Sequence, residues 1–315
     1  MCNDITDERK SQSRILQKVY IRKKQNERII DNLLCLGEVE KAQKIRECGT
    51  FLRIFQPFEG GKSLIQTANF CRQRMCIVCA WRRSKRFIAT TAPVLEYIHR
   101  EQNGTENYIF LTLTLQNVAQ NGLKKAVNDI LSGWRNLTRQ KAYKTAVWGA
   151  CRSLEITYNA SENTYHPHIH ALLLMNSEYF DNVYYTQKQW CDMWKKAADV
   201  PYKPILDVRA IKDITKDIHA KGAVIETFKY SMKPNDLSFS PEVTETLMHT
   251  LAGRRLISFT GHIAEIRKKL RIEDFENTLC DTIGEQKGYS ILYHFTPSGW
   301  EIIDSPSRAG ESPLV

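Results

Sequence analysis

Ser153–Tyr158 and His168–Met175 read as two strands closed by the polar turn Asn159-Ala160-Ser161-Glu162-Asn163. That hairpin frames the rest of the chain. Upstream, Tyr108–Leu115 is rich in aromatic and β-branched residues and alternates from Leu111, which predicts another strand. Leu123, Val127, Ile130, Leu131, Trp134 and Leu137 recur at helical spacing. Thr186 with Gln189 forms a capping box that opens a helix through Trp190 and Trp194. Leu206–Ala210 alternates as a strand, Asp217–Lys233 reads as a helix stopped by Pro234, and Glu242–Leu251 as another helix. Strand, helix, strand, strand, helix, strand, helix in that order predicts an α+β fold, a central antiparallel sheet flanked by helices.

The 315 residues suggest roughly two domains at ~150 each. We expect a helical N-terminal segment (1–47), a four-cysteine module with a basic helix kinked near Pro93 (48–100), the α+β core (105–275) and a C-terminal extension (276–315) whose end past Ser305 is loose. An apolar fraction of 42% with 31 aromatic residues is enough for a sizeable core and argues against disorder. No apolar run reaches the ~18 residues of a membrane span. The opening MCNDITDERKSQSR has no apolar signal-peptide core, so a cytoplasmic protein without a membrane partner is expected.

Charge is uneven. Lys and Arg exceed Asp and Glu by 45 to 35, a net +10, yet Gly60–Leu95 contains no acidic residue at all. That stretch holds Lys62, Arg72, Arg74, Arg82, Arg83, Lys85 and Arg86, a density that fits nucleic acid as partner. The alternative is a solvated basic face.

Nine cysteines, an odd number, argue against a closed disulfide framework. Cys48 is followed by 22 residues and then Cys71-x4-Cys76-x2-Cys79. The C-x2-C pair brings two thiolates to one ion from a single turn, and two more complete the tetrahedral shell of a structural Zn2+ site.

His166-Pro167-His168-Ile169-His170 carries three of the eight histidines. Alternate side chains of a strand share a face, so His168 and His170 point together and suit one divalent ion. If the hairpin turns symmetrically at Ser161–Glu162, cross-strand partners sum to 323 and Glu155 lies opposite His168 on that face. Two imidazoles and a carboxylate leave open positions, as catalytic sites do. His166 is the rival third ligand.

On the predicted helix Asp217–Lys233, Glu226, Lys229, Tyr230 and Lys233 share one face. A phenol flanked by lysines, with a carboxylate one turn away, could attack phosphorus. The alternative is a solvated amphipathic face.

Three motifs in this order resemble the plasmid rolling-circle replication initiators of the HUH endonuclease superfamily. Phe110-Leu111-Thr112-Leu113-Thr114 looks like their first motif, a core strand. His166–His170 looks like the second, the metal motif. Glu226-Thr227-Phe228-Lys229-Tyr230-Ser231-Met232-Lys233 is similar to the third, E-x-x-K-Y-x-x-K in the single-tyrosine branch, which also carries upstream cysteines like Cys71–Cys79. Ile77 follows Cys76 where many relatives have proline. The resemblance spans residues 45–265 or so.

It implies an HUH, RRM-like core and a nicking and strand-joining enzyme that uses Mn2+ or Mg2+. Its DNA would be a single-stranded or hairpin origin, and a host helicase and polymerase would be its partners. Tyr230 would form a 5′-phosphotyrosyl link, and the released 3′-OH would prime synthesis. Glu226 would direct water in the terminating cleavage. Lys229 and Lys233 would stabilise charge or contact the backbone, unless they are surface lysines. Trp81, Trp134 and Tyr165 are candidates for stacking bases, or core. A relaxase or single-strand transposase of the same superfamily, or a non-catalytic zinc-stabilised DNA-binding regulator, are the alternatives. Oligomeric state is not set by the sequence.

Overall fold

The computed structural model describes residues 4–211, 240–272 and 278–308. Within them the chain divides into two compact units. One comprises the described residues 4–86, 240–245 and 278–308; the other 87–211 and 246–272. No described helix is long and apolar enough to cross a membrane.

The larger unit is built on a five-stranded antiparallel sheet. In chain order its strands are Tyr108–Thr114 (β3), Val147–Asn159 (β4), Thr164–Met175 (β5), Leu206–Ile211 (β6) and Ile257–Thr260 (β7). Their spatial order is β6-β3-β5-β4-β7. The hairpin β4–β5 is thus central, which explains its length and its near-continuous burial. Helix Leu123–Arg139 (α4) buries Leu123, Val127, Ile130, Trp134 and Leu137, the stripe its spacing predicts. Helix Gln187–Ala198 (α7) opens on the Thr186/Gln189 capping box, with both reciprocal bonds present, and buries Trp190 and Trp194. Trp194 donates its indole N–H to the Thr114 carbonyl at 3.0 Å, tying α7 to the end of β3.

The smaller unit holds a second antiparallel sheet that the sequence reading did not contain. Phe51–Pro57 (β1), Leu64–Ala68 (β2), Gly288–Thr296 (β8) and Gly299–Arg308 (β9) lie in the order β2-β1-β8-β9. Strand β9 runs through Ser305 to Arg308, where a loose tail was expected. Helix Asp4–Cys35 (α1) buries Val19, Asn26, Ile29 and Leu33, and helix Val39–Glu47 (α2) buries Ala42 and Ile45. Helix Ile77–Glu101 (α3) begins at the C-x2-C pair and continues through Pro93 as one element. The expected helix at 217–233 lies outside the described residues.

Candidate metal centres

Register brings the first group together. On β5 opposite β4, His168 faces Glu155 and His170 faces Ser153; on the β3 side they face Thr114 and Thr112. Both imidazole Nε2 atoms converge on one oxygen. They stand 3.2 Å (His168) and 3.1 Å (His170) from Glu155 Oε2. Two N or O donors held ~2.1 Å from one ion at right angles stand ~3 Å apart, so these separations suit neighbouring positions around a single cation.

The far nitrogens are held as well. His168 Nδ1 is 3.2 Å from the His166 carbonyl oxygen. A carbonyl only accepts, so Nδ1 donates to it and Nε2 is the ring atom presented beside Glu155. His170 Nδ1 is 3.1 Å from Thr112 Oγ1, and Phe110 stacks on the same ring at 5.5 Å and 17°. Thr112 therefore fixes His170 as outer-shell partners fix metal-ligating imidazoles. The sequence reading placed Thr112 only in a core strand. Its sole signal was its place in the first motif.

Burial pushes the Glu155 carboxyl up, but hydrogen bonds and charge from His168 and His170 outweigh that and hold it at about 2. It stays ionised at any ordinary pH. Glu155, His168 and His170 are one of the two described groups of metal-binding side chains, with ligand atoms within 4.8 Å of one another. The group could hold a metal ion and leave positions open. His166 is not part of it: its ring hydrogen-bonds toward the Leu115 backbone, and burial, followed by the charge of His168, lowers its pKa. Glu226, Lys229, Tyr230 and Lys233 lie outside the described residues.

The second group is Cys48, Cys71, Cys76 and Cys79. Cys48 and Cys71 Sγ lie 3.5 and 3.6 Å from Cys79 Sγ. Four sulfurs ~2.3 Å from one zinc stand ~3.8 Å apart, so the cage has the right size. Backbone N–H groups aim at it: Cys71 donates to Cys48 Sγ at 3.4 Å and Arg72 to Cys79 Sγ at 3.3 Å. Arg72 takes a left-handed φ of 58° to do so. From α1, buried Asn26 donates to Cys76 Sγ at 3.4 Å while its carbonyl accepts the Ile77 N–H at 2.8 Å. Burial pushes the Cys76 thiol up, but donation from Cys48, Cys71 and Cys79 brings it well below the usual thiol range. Donors on three of the four sulfurs suit thiolates, the form that binds zinc.

Within the basic stretch, Arg72, Arg74, Arg82, Arg83, Lys85 and Arg86, all expected on DNA, do not share one face. Arg82 and Arg86, one turn apart on α3, are buried against the segment 278–282. Arg82 bonds the Leu279 carbonyl at 2.8 Å and Asp281 at 2.7 Å. Arg86 bonds the Thr278 carbonyl and Thr282. Arg83 donates to the Gln73 and Arg72 carbonyls and so clasps the cysteine loop. Guanidinium groups engaged this way hold the unit together. Arg72 and Lys85 are exposed and Arg74 is half-buried. Trp81, Trp134 and Tyr165 are buried at 6, 4 and 1% exposure, so they belong to the core and not to a stacking platform.

A family model described as replication protein matches residues 62–299, about three-quarters of the chain. The chain belongs to that replication-protein family. It is 36% identical over 257 residues to a "Protein rep" from Bacillus sp, covering 76% of this chain and 83% of that one. A "Protein rep" from Bacillus amyloliquefaciens is 35% identical over 256 residues, covering 75% of each. A third, from Streptococcus pneumoniae serotype 2, is 35% identical over 239 residues, covering 75% of this chain and 73% of its own. No solved structure gives a match. The resemblance to plasmid replication initiators therefore stands for this chain.

Proposed function

We propose that this Rep chain initiates plasmid rolling-circle replication by nicking and rejoining origin DNA through a tyrosine. The observation that carries this reading is the convergence of His168 and His170 Nε2 on Glu155 Oε2, in a chain of the replication-protein family. A divalent ion held there, Mn2+ or Mg2+, supplies Lewis-acid polarisation of a non-bridging phosphate oxygen. The protein does the rest. Thr112 and the His166 carbonyl orient the imidazoles, and Glu155 supplies the permanent negative charge.

Tyr230 is the proposed nucleophile. Its hydroxyl loses a proton as its oxygen bonds to phosphorus. The P–O3′ bond breaks, a 5′-phosphotyrosyl ester forms, and the leaving 3′-oxygen takes up a proton to become the priming hydroxyl. Lys229 and Lys233 lower the phenol's pKa and meet the developing charge. Glu226 accepts the proton of the water that ends the cycle. The ester conserves the phosphodiester bond energy, so the same step run backward rejoins the strand. Zn2+ in the cysteine cage has a structural part.

Cleavage of end-labelled single-stranded origin DNA in the presence of Mn2+ tests this. A single site-specific nick supports it. Binding without any cleavage would make the chain a DNA-binding regulator instead.

A further inference from the structure

Helix α1 carries a row of cations besides Lys23, which bonds the Cys48 carbonyl at 3.0 Å next to the cysteine cage. From Arg9 to Asn26 it contains seven Lys and Arg residues and no Asp or Glu. Arg14, Lys18 and Arg22 follow at four-residue steps, so they line one side of the helix. Arg14 and Lys18 are exposed, and Arg22 is half-buried beside the packed face of Val19 and Asn26.

Two neighbours in the same unit widen the row. Ser11, just before Arg14, accepts the Ser63 N–H at 3.0 Å, which brings the loop bearing exposed Lys62 against α1. At the other end the Arg22 guanidinium lies 4.5 Å above the Trp81 ring, and exposed Lys85 follows one turn later on α3. The cations are close enough to feel one another. Burial, then the charges of Lys18, Arg22, Lys62 and Arg82, lower the pKa of Lys85. The same polypeptide thus holds like charges together on a rigid support. That arrangement is unfavourable alone and is relieved by a polyanion.

We infer that the face formed by Arg14, Lys18, Arg22, Lys62 and Lys85 docks on the phosphate backbone of duplex DNA flanking the nick site. At ~1.5 Å rise per residue the eight steps from Arg14 to Arg22 span ~12 Å. A duplex strand presents a phosphate every ~3.4 Å of axis, so the row covers three to four of them. A fixed ruler matches a fixed array, and a duplex has one where a flexible single strand does not. The family match begins at residue 62, so α1 lies outside it. The choice of DNA as the polyanion rests on the proposed function.

The test uses the full zinc-bound chain and a labelled duplex of arbitrary sequence, with affinity followed across a salt series. In the triple variant Arg14→Ala, Lys18→Ala, Lys85→Ala the slope of log affinity against log salt should fall by about 3, and affinity at moderate salt by tenfold or more. The charge-keeping triple Arg14→Lys, Lys18→Arg, Lys85→Arg should match the wild type, and all three proteins are also assayed for cleavage of a short single-stranded origin oligonucleotide. An unchanged slope in the alanine triple would overturn the inference and leave an acidic protein as the face's partner. Absence of cleavage in every protein, with the slope still lowered, would overturn the proposed function and leave this face intact.

Discussion

Thr112 and His170 sit opposite each other across β3 and β5, with Oγ1 and Nδ1 3.1 Å apart. Each strand alone is ordinary. Their pairing turns a threonine of a core strand into the residue that sets a histidine's ring.

Removing that contact should weaken the ion's seat without unfolding the sheet. Thr112→Val keeps the shape and loses the hydroxyl. Mn2+ affinity, read by paramagnetic resonance or calorimetry, should drop roughly tenfold, while Thr112→Ser restores it. Equal affinity in Thr112→Val would mean that packing against Phe110 alone orients His170.

Glu155 gives a pH signature. Its carboxyl is held at about 2 in the folded chain, below the unfolded value near 4.5. A group depressed on folding stabilises the fold above its unfolded pKa and loses that contribution as pH falls through the folded one. Thermal unfolding without added Mn2+ should therefore show a stability loss between about pH 4.5 and 2, worth on the order of 3 kcal/mol. Glu155→Gln should flatten that window. A variant with the wild-type acid profile would remove Glu155 from the charge network.

The cysteine cage predicts one zinc per chain by elemental analysis. Cys76→Ser should lose it and destabilise the smaller unit. Asn26→Ala removes a donor to Cys76 Sγ and an acceptor from the Ile77 N–H. It should lower stability by about 1–3 kcal/mol in denaturant melts and speed zinc release to a chelator. Full stability with no bound metal would sink the zinc assignment.

Glu226→Ala should spare the first cleavage and slow release of the covalent product. Loss of both steps together would deny Glu226 its part with water.

The larger unit was the legible one because its information is local. The turn at Ser161–Glu162 and the period of two on either side are enough to count Glu155 onto His168, and the observed register has that pairing. The helical stripe of α4 and the Thr186/Gln189 cap are likewise short-range. The smaller sheet was not legible, because β1 pairs with β8 across more than 230 residues, Phe51 with His294, and nothing near Phe51 names its partner. Charge counting had a similar limit. The basic run includes Arg82 and Arg86, but only the arrival of 278–282 reveals that their heads are buried. Thr112 was hidden for the same reason: its role exists only across the strand pair.

The proposed chemistry requires a metal-dependent link between Tyr230 and DNA. Wild type, Tyr230→Phe and the His168→Ala, His170→Ala pair should be incubated with labelled single-stranded origin DNA and Mn2+, then run on a denaturing gel. A slow-migrating protein–DNA band is expected for wild type alone, with peptide mapping placing the DNA on Tyr230. A band of equal strength from Tyr230→Phe, or from the histidine pair with Mn2+ chelated, would contradict it.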